Sequence, residues 1–402
     1  MKKIITLIGI GILSLSFLVG CGKKSTITTK NAKNQTMYSY NELDDNTIQI
    51  VSYNGNKSIS ELTIPSEIDG KVVSKIGDYS FDNLFNGDIC MNIIVPDTVI
   101  EIGIYAFANN QAINEVIFNK NSNISIINAY AFINCTKLNS ISYGDSSILP
   151  LSLIAIGEQA FYNCNFSSIY MNDNLKELGP GAFACNKNLS AINKTIVNKN
   201  FIIDDEGGLY SSDYEVFYML PMNSTATDYY INDHTLYIEH YAFIDNKSLK
   251  TIHINRNLLR IGRSAFEGIG LSNNNQKETE IYFNCQHVPN ALENAFARSN
   301  IRLYVSHELK KEYIKNWVDL SDYISDQIIN VSFYDDDELI ANENIYNFSS
   351  INLPKYTKEV EGYTFAGWEL NDNFIPSYVV EYYIESNNNR DIKFYAKLVP
   401  ND

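Results

Sequence analysis

Apolar positions in the middle of this chain repeat with a long, regular period. The recurring element is the dipeptide Ala-Phe or a close variant, and successive copies lie 22 to 30 residues apart except across one gap of 60 residues. The phenylalanines of these copies are Phe81, Phe107, Phe132, Phe161, Phe183, Phe243, Phe266 and Phe296. Self-similarity at this period is typical of solenoids, in which each unit buries its apolar face only by stacking on its neighbours. The pattern therefore predicts an extended binding face rather than a catalytic pocket.

Within each unit, apolar and polar positions follow a fixed order. Aligned units read L-x-x-I-x-I-P-x-x-V-x-x-I-G-x-x-A-F-x-x-N/C-x-x-L, as in residues 93–110. The alternating residues before the Pro position predict a short strand, the Gly position a bend, and Ala-Phe a tight turn with an inward Phe. Stacked units should then form a parallel sheet along one face.

The position three residues after the repeat Phe holds Asn or Cys in most units. We expect a ladder in which these side chains satisfy backbone groups of the turns. Five cysteines follow Cys21, and none of them has a metal-binding spacing: Cys90, Cys135, Cys164, Cys185 and Cys285. A disulfide between the stacked Cys135 and Cys164 is an alternative to buried thiols, and we favour the thiols.

The repeat residues resemble the BspA-type leucine-rich repeats of bacterial surface proteins, over about residues 38–326. The resemblance implies a mainly β fold, with a leucine-rich-repeat-like solenoid of parallel strands over 37–300. It also implies a hairpin near Ile48 and Tyr53 that covers the first apolar edge. Members of this family include adhesins, so the resemblance implies ligand binding without turnover.

The gap of 60 residues contains a strand, turn, strand pattern around Asp204-Asp205-Glu206-Gly207-Gly208. Two interpretations of this acidic turn are a calcium site at Asp204, Asp205 and Glu206, and a solvated hairpin tip. We favour the hairpin tip, and we predict no metal site in the chain.

After Phe296 the repeat pattern ends, and residues 301–327 are predicted to cap the solenoid. Ser306 is a suitable N-cap for a helix, and an apolar stripe follows it at helical spacing. The stripe consists of Leu309, Tyr313, Trp317 and Leu320. We expect it to cover the open end of the solenoid, with a groove for a partner helix as the alternative.

Residues 328–402 read as strands separated by polar turns. The string Gly362-Tyr363-Thr364-Phe365-Ala366-Gly367-Trp368 and the strand pattern at 392–398 resemble the Listeria-Bacteroides repeat, also called the internalin B-repeat. The resemblance implies a small β-grasp-like surface module. Trp368 is expected in its core.

The first residues read as an export signal. Lys2 and Lys3 precede an apolar run that is too short for a transmembrane helix, and Leu18-Val19-Gly20-Cys21 follows. This segment resembles the lipobox of bacterial lipoproteins, which implies a signal peptide over 1–20, a lipid on the Cys21 sulfur and a flexible linker over 21–36. A secretory signal with an incidental Cys is the alternative.

Charge and motif content exclude several functions. Removal of Lys2 and Lys3 with the signal takes the net charge from −16 to −18, and an acidic chain without a basic cluster argues against nucleic acid binding. The sequence has no phosphate loop, nucleophile elbow or zinc motif, so we expect no enzyme and no cofactor. A secreted hydrolase is the least favoured alternative.

One position in each predicted strand lies between two buried apolar residues and should point outward. This column contains Thr63, Ile94, Ile117, Ser142, Tyr170, Tyr230, His253 and Tyr282. The last four should form a continuous aromatic strip if their units are sequential, because adjacent strands lie about 4.8 Å apart. Aromatic rings with a polar edge suit protein or glycan ligands. The alternative is that these residues are simply good strand formers.

We therefore expect a monomeric, lipid-anchored protein on the outer face of a bacterial membrane. Its function would be adhesion or ligand binding, with a protein or glycan partner at the cell surface. The candidate ligand-binding residues are Ile117, Tyr170, Tyr230, His253 and Tyr282. A structural or wall-associated spacer in the envelope is the second hypothesis.

Overall fold

The computed structural model describes residues 27–30, 36–144, 146–271, 278–346, 349–370, 373–377, 379, 381–384 and 391–401. The predicted signal peptide 1–20 and Cys21 lie outside the described residues. The chain forms two compact units. The N-terminal unit comprises Met1–Asn165 and Asn174–Ala182, and the C-terminal unit comprises Phe166–Asp173 and Phe183–Asp402.

Short strands make up most of the regular structure. The strands up to residue 194 are β1 (Ile27–Lys30), β2 (Thr36–Glu42), β3 (Ile48–Tyr53), β4 (Glu61–Thr63), β5 (Glu67–Ile68), β6 (Lys71–Ile76), β7 (Met91–Val95), β8 (Glu101–Ile102), β9 (Ile113–Phe118), β10 (Ile126–Ile127), β11 (Ser140–Tyr143), β12 (Ala155–Ile156), β13 (Ser168–Met171), β14 (Glu177–Leu178) and β15 (Ala191–Lys194). The elements from there to the cap are β16 (Phe201–Ile203), β17 (Leu209–Ser211), β18 (Val216–Met219), β19 (Asp228–Tyr230), β20 (Tyr237–Ile238), β21 (Thr251–Ile254), β22 (Arg260–Ile261), β23 (Thr279–Phe283), β24 (Asn290–Ala291), β25 (Ile301–Val305), α1 (Lys310–Asn316), a 3-10 helix (Val318–Tyr323) and β26 (Ile324–Asp326). The remaining strands are β27 (Ile328–Asp335), β28 (Glu338–Tyr346), β29 (Ser349–Asn352), β30 (Tyr363–Leu370), β31 (Asn373–Pro376), β32 (Glu381–Ile384) and β33 (Asp391–Pro400).

The N-terminal unit is a parallel-strand solenoid, as the repeat pattern predicts. Strands β4, β7, β9 and β11 form one parallel sheet. A second sheet begins at β1, and from β6 onward the two-residue strands β8, β10, β12 and β14 extend it in parallel. The predicted hairpin is formed by β2 and β3, and β3 joins β6 in parallel. Strand β1 falls inside the predicted linker and pairs with β2, since its β-branched residues favour an extended backbone.

The C-terminal unit repeats this plan. Strands β19, β21, β23, β25 and β26 form a five-stranded parallel sheet, and β13 pairs with β15. The gap of 60 residues contains the antiparallel hairpin β16–β17, and β17 is also antiparallel to β18. Strand β18 then pairs in parallel with β20, so this hairpin begins a second run of repeat turns just as β2 and β3 begin the first.

The repeat phenylalanines point inward and stack along each core. In the N-terminal unit the ring centroids of Phe107 and Phe132 lie 5.2 Å apart, and those of Phe132 and Phe161 lie 5.3 Å apart. In the C-terminal unit Phe243, Phe266 and Phe296 stack at 5.1 Å per step. The predicted tight turn with a buried Phe is confirmed.

The Asn-or-Cys ladder is also confirmed. The Asn110 carboxamide accepts hydrogen bonds from two backbone N–H groups at residues 84 and 85, and it donates to the carbonyls of Phe81 and Phe107. The thiol of Cys135 donates to the Phe107 carbonyl at 3.1 Å, and Cys164 makes the equivalent contact with Phe132. Both thiols are free, and burial raises the pKa of Cys135 to about 12.

The template glycines have a different role from the predicted bend. A Cβ on Gly157 would lie 2.3 Å from the Ala129 nitrogen, and one on Gly179 would lie 2.3 Å from the Glu158 nitrogen. Glycine is therefore needed there because backbones of neighbouring turns approach closely. The left-handed residues stand two positions before and two positions after the repeat Phe, as at Tyr105 and Asn109.

The cap covers the end of the solenoid, but its helix starts later than predicted. Leu309 is the N-cap of α1 and makes no side-chain capping bond, so the assignment of Ser306 was wrong. The helix ends at Asn316 and a 3-10 helix follows. Tyr313 and Trp317 are buried, and Trp317 packs 5.3 Å from Phe283 between ring centroids.

Residues 328–401 form a separate sheet in the order β28-β27-β33-β30-β31, in which only β27 and β33 are parallel. Strands β29 and β32 pair with each other. Trp368 lies in the core of this region, as predicted, and its indole N–H donates to the Pro354 carbonyl at 3.3 Å. The β-grasp assignment and the boundaries at 300 and 327 remain predictions. Among the described residues, no helix has the length and apolar character that crossing a membrane requires.

Candidate binding face

In the N-terminal unit, the outward column is in register across one parallel sheet. Thr63 pairs with Ile94, Ile94 with Ile117, and Ile117 with Ser142. Ile117 is half-buried, and Ser142 donates a hydrogen bond to the Glu115 carboxylate. This part of the column has no aromatic side chain, and Ile117 belongs to a different sheet from the aromatic candidates.

Tyr170 does not join the other aromatic candidates. It lies on β13 opposite Asn193 of β15, in a sheet of two strands. The chain then forms the β16–β17 hairpin and β18 before the next outward-facing strand, β19. The units that contain Tyr170 and Tyr230 are therefore not sequential, and the expected strip of four residues was wrong at this position.

The remaining candidates form a stacked row that extends by one residue in the other direction. We define the aromatic strip as Tyr230, His253, Tyr282 and Tyr304, which pair in register across β19, β21, β23 and β25. Successive ring centroids are 4.3, 4.9 and 4.9 Å apart, and the ring planes differ by 12° to 18°. Sequence reasoning missed Tyr304, although the alternation in Ile301-Arg302-Leu303-Tyr304-Val305 placed it at an outward position.

Stacking decides which parts of the aromatic strip a ligand can reach. His253 and Tyr282 are only 7% and 6% exposed, because a ring covers each of their faces. Tyr230 stands at the end of the row and is 54% exposed, and Tyr304 is half-buried. The Tyr282 hydroxyl donates to the Glu280 carboxylate at 2.8 Å. A ligand therefore meets one open ring face and a row of ring edges.

A polar row runs beside the aromatic strip on the same sheet. Its members are in register, two residues before each ring: Asp228, Thr251, Glu280 and Arg302. Hydrogen bonds from Thr251 and Thr227 lower the pKa of Asp228, so this carboxylate stays ionised. Arg302 donates to Glu278 at 3.2 Å, which keeps its guanidinium in place at the far end of the row.

The acidic hairpin tip is held by its own hydrogen bonds. One Asp204 oxygen accepts from the Gly208 N–H at 2.7 Å, and the other accepts from the Tyr229 hydroxyl at 2.5 Å. The described residues contain no group of three or more His, Cys, Asp or Glu side chains arranged to hold a metal ion. The arrangement supports the hairpin interpretation of Asp204.

Comparison with known families agrees with the repeat architecture. A family profile described as BspA type leucine-rich repeat region matches six copies, over residues 46–147, 121–203 and 214–316. These matches cover well over half of the chain. A search of curated proteins gives no significant match.

Three solved structures are similar to parts of this chain at low sequence identity. The pneumococcal vaccine antigen PcpA is 17% identical, with a TM-score of 0.47 over 76% of this chain and 98% of that protein. A leucine-rich cell surface protein from Faecalibacterium prausnitzii is 19% identical, with a TM-score of 0.43 over 75% of this chain and 94% of its own. The leucine-rich repeat protein of T. pallidum is 20% identical, with a TM-score of 0.37 over 60% and 89% of the two chains.

Proposed function

The chain belongs to the BspA-type leucine-rich repeat family, and on that premise we propose that it is a bacterial surface protein that binds a protein partner through the aromatic strip. The observation that supports this proposal is the row of four stacked rings beside a polar row on one sheet. Aromatic residues with polar neighbours are enriched where binding energy concentrates in protein interfaces.

Ring geometry favours a protein over a glycan at this position. A sugar ring stacks on an aromatic face, and in the aromatic strip the faces of His253 and Tyr282 are occupied by neighbouring rings. The exposed ring of Tyr230, the ring edges and the exposed Asp228 carboxylate line this face, and these groups suit a partner surface that carries positive charge beside an apolar patch. We propose binding without turnover, since an open sheet is poorly suited to exclude water from a reaction.

Truncation of the accessible rings should weaken binding without unfolding the protein. Tyr230→Ala and Tyr304→Ala should each lower affinity about tenfold, because an aromatic side chain that contacts the partner contributes about 1 to 2 kcal/mol or more. Each variant should lower the free energy of unfolding by less than about 1 kcal/mol, since the buried neighbours Tyr229 and Leu303 keep the core packed. An array of host matrix proteins and glycans identifies the ligand, and titration of each variant gives its affinity.

The matched control is Tyr395→Ala, which removes an exposed strand tyrosine that stacks on Tyr334 outside the solenoid. Its affinity should equal that of the unchanged protein. Tyr170→Ala tests whether the binding region extends beyond the aromatic strip. If both Tyr230→Ala and Tyr304→Ala bind with unchanged affinity, the binding site lies elsewhere. The rings would then serve only to stabilise the sheet.

A structural spacer in the envelope is the second proposal. It is supported by the sheet itself, because tyrosines are good strand formers and stacked cross-strand pairs stabilise a sheet without any ligand. Pull-down from host matrix and from purified peptidoglycan separates the two proposals. Retention on peptidoglycan alone would favour the spacer.

We also propose a lipid anchor on Cys21, which rests on the lipobox-like Leu18-Val19-Gly20-Cys21. Two or three acyl chains hold a protein stably on a membrane, at about 0.8 kcal/mol per buried methylene. Cys21→Ala should therefore move the protein from the membrane fraction to the medium or the soluble fraction. Cys90→Ala, which removes an exposed thiol elsewhere in the chain, is the control and should stay with the membrane. Retention of Cys21→Ala on washed membranes would contradict the anchor.

A further inference from the structure

A second aromatic row lies on the N-terminal unit, at its turns rather than on its strands. We define the tyrosine ladder as Tyr79, Tyr105 and Tyr130, each two residues before a repeat Phe. Their ring centroids are 5.0 and 4.7 Å apart, with ring planes 13° and 10° from parallel. Tyr79 ends the row and is 58% exposed.

The backbone under the tyrosine ladder is held in an unusual conformation. Tyr79, Tyr105 and Tyr130 have φ values of 56°, 55° and 61°, a left-handed region that bulky side chains rarely adopt. Each such residue is strained relative to glycine, which occupies the same position at Gly181. Stacking offsets part of this strain. Three consecutive units nevertheless place a partly exposed tyrosine where glycine would fit without strain, which points to a use of the rings.

The residues beside the tyrosine ladder give it a defined charge pattern. The residues immediately before Tyr79, Tyr105 and Tyr130 are Asp78, Ile104 and Ala129. In the next unit, Glu158 holds the same position. Asp78 and Ile104 are exposed, and one Asp78 oxygen accepts from the Ile104 N–H at 2.8 Å. A carboxylate therefore stands at each end of this row, and its middle is apolar.

The other side of the tyrosine ladder is neutral or acidic. The side-chain amide of Asn163 donates a hydrogen bond to Asn134, and that of Asn134 donates to Asn109. Asn109 in turn donates to the Asp82 carboxylate at 2.9 Å. Burial raises the pKa of Tyr105, and the nearby Tyr79, Glu158 and Asp82 raise it further. Asp78 directly precedes Tyr79, and the Tyr130 N–H donates to the Glu158 carbonyl at 2.8 Å, so both acidic residues border the rings.

We propose that the tyrosine ladder binds an extended, cationic peptide segment with a basic residue on each side of an apolar one. The basic residues would pair with Asp78 and Glu158, and the apolar residue would contact Ile104 and the ring edges. Turns stack at about 4.8 Å, so the three steps from Asp78 to Glu158 span about 14 Å, or about four residues of extended peptide. This site is independent of the aromatic strip, because it lies in the other unit. Its carboxylates would select a positively charged ligand.

Three soluble probes test this site on the full chain. They are a labelled peptide with the motif Lys-Ser-Leu-Ser-Lys, its counterpart Glu-Ser-Leu-Ser-Glu, and a chitin hexasaccharide as a neutral ligand. Fluorescence anisotropy should show that the lysine peptide binds at least about tenfold more tightly than the glutamate peptide. Its affinity should fall as ionic strength rises.

Variants then assign the binding to the tyrosine ladder. Tyr79→Asn and Tyr105→Asn remove a ring but keep the left-handed backbone, which Asn tolerates, and each should weaken the lysine peptide about tenfold. The double variant Asp78→Asn/Glu158→Gln keeps the rings and should remove most of the salt dependence. The matched controls are Tyr241→Asn and Glu293→Gln, which occupy the same turn positions in the C-terminal unit and should bind within about twofold of the unchanged chain.

Three results would overturn the proposal. The first is equal or absent binding of the two peptides. The second is an unchanged affinity in the double charge variant, which retains the ring stack and therefore tests charge without disturbing the fold. The third is tight binding of the chitin hexasaccharide that Tyr79→Asn abolishes, since this would make the tyrosine ladder a glycan site.

Discussion

Replacement of Phe132 by alanine should lower the free energy of unfolding by about 3 to 5 kcal/mol. Phe132 is fully buried between Phe107 and Phe161, which stack on its two faces at 5.2 and 5.3 Å. Truncation removes apolar contacts on both sides and leaves a cavity, because the turns above and below are fixed by backbone hydrogen bonds and cannot collapse into it. Urea denaturation monitored by near-ultraviolet circular dichroism measures the loss.

The conservative control is Phe132→Leu, which keeps most of the apolar volume. It should cost roughly half as much, since it loses the ring stacking but leaves a smaller void. A loss below about 1 kcal/mol for Phe132→Ala would mean that the repeat Phe does not carry the core. Equal losses in the two variants would mean that stacking, rather than volume, is the quantity that matters.

The repeat fold could be predicted from sequence because its signals are local and recur in every unit. Phe107, Phe132 and Phe266 each sit at the same place in the template, and burial of one implies burial of the others. The same logic placed Asn110 and Cys135 in a ladder, since a polar side chain at a fixed position in a tight turn has nearby backbone groups to satisfy. A repeat sequence thus supplies several independent observations of one local structure.

The candidate face was predicted less completely, because it depends on which units are neighbours. Tyr170 has the correct position within its strand, but β15 and the hairpin β16–β17 follow it, so no aromatic strand lies beside it. Tyr304 was missed for the opposite reason. Its strand stands after the last Ala-Phe copy and was assigned to the cap, although it pairs in register with β23.

Backbone conformation was the least predictable feature. A glycine in a turn usually indicates a positive φ, whereas Gly157 and Gly179 are needed for close contact between turns. Most of the left-handed positions carry other residues, such as Tyr, Asn, Gln or Ser, and no sequence rule assigns such a conformation to Tyr105. This is why the tyrosine ladder emerged only from the structure.

Gly157→Ala should be strongly destabilising, with a loss of about 3 kcal/mol or more. The added Cβ would lie 2.3 Å from the Ala129 nitrogen and 2.6 Å from the Asn128 carbonyl carbon. These are backbone atoms, so no side chain can rotate away. Relief requires the two turns to separate, which would lengthen the hydrogen bond that the Gly157 N–H donates to the Ile127 carbonyl at 2.8 Å.

Gly87→Ala is the matched control, because a Cβ at Gly87 meets no atom within 4 Å and the backbone there is not left-handed. It should change stability by no more than about 0.5 kcal/mol, and a small gain is expected because alanine restricts the unfolded chain. Thermal midpoints of the two variants under identical conditions provide the comparison. If Gly157→Ala and Gly87→Ala have the same thermal midpoint, the spacing between turns is adjustable. The stacking of Phe132 on its neighbours then cannot be what fixes that spacing. If Gly157→Ala alone is unstable, the spacing of turns in the N-terminal unit is set by backbone contact, and the spacing of the tyrosine ladder follows from it.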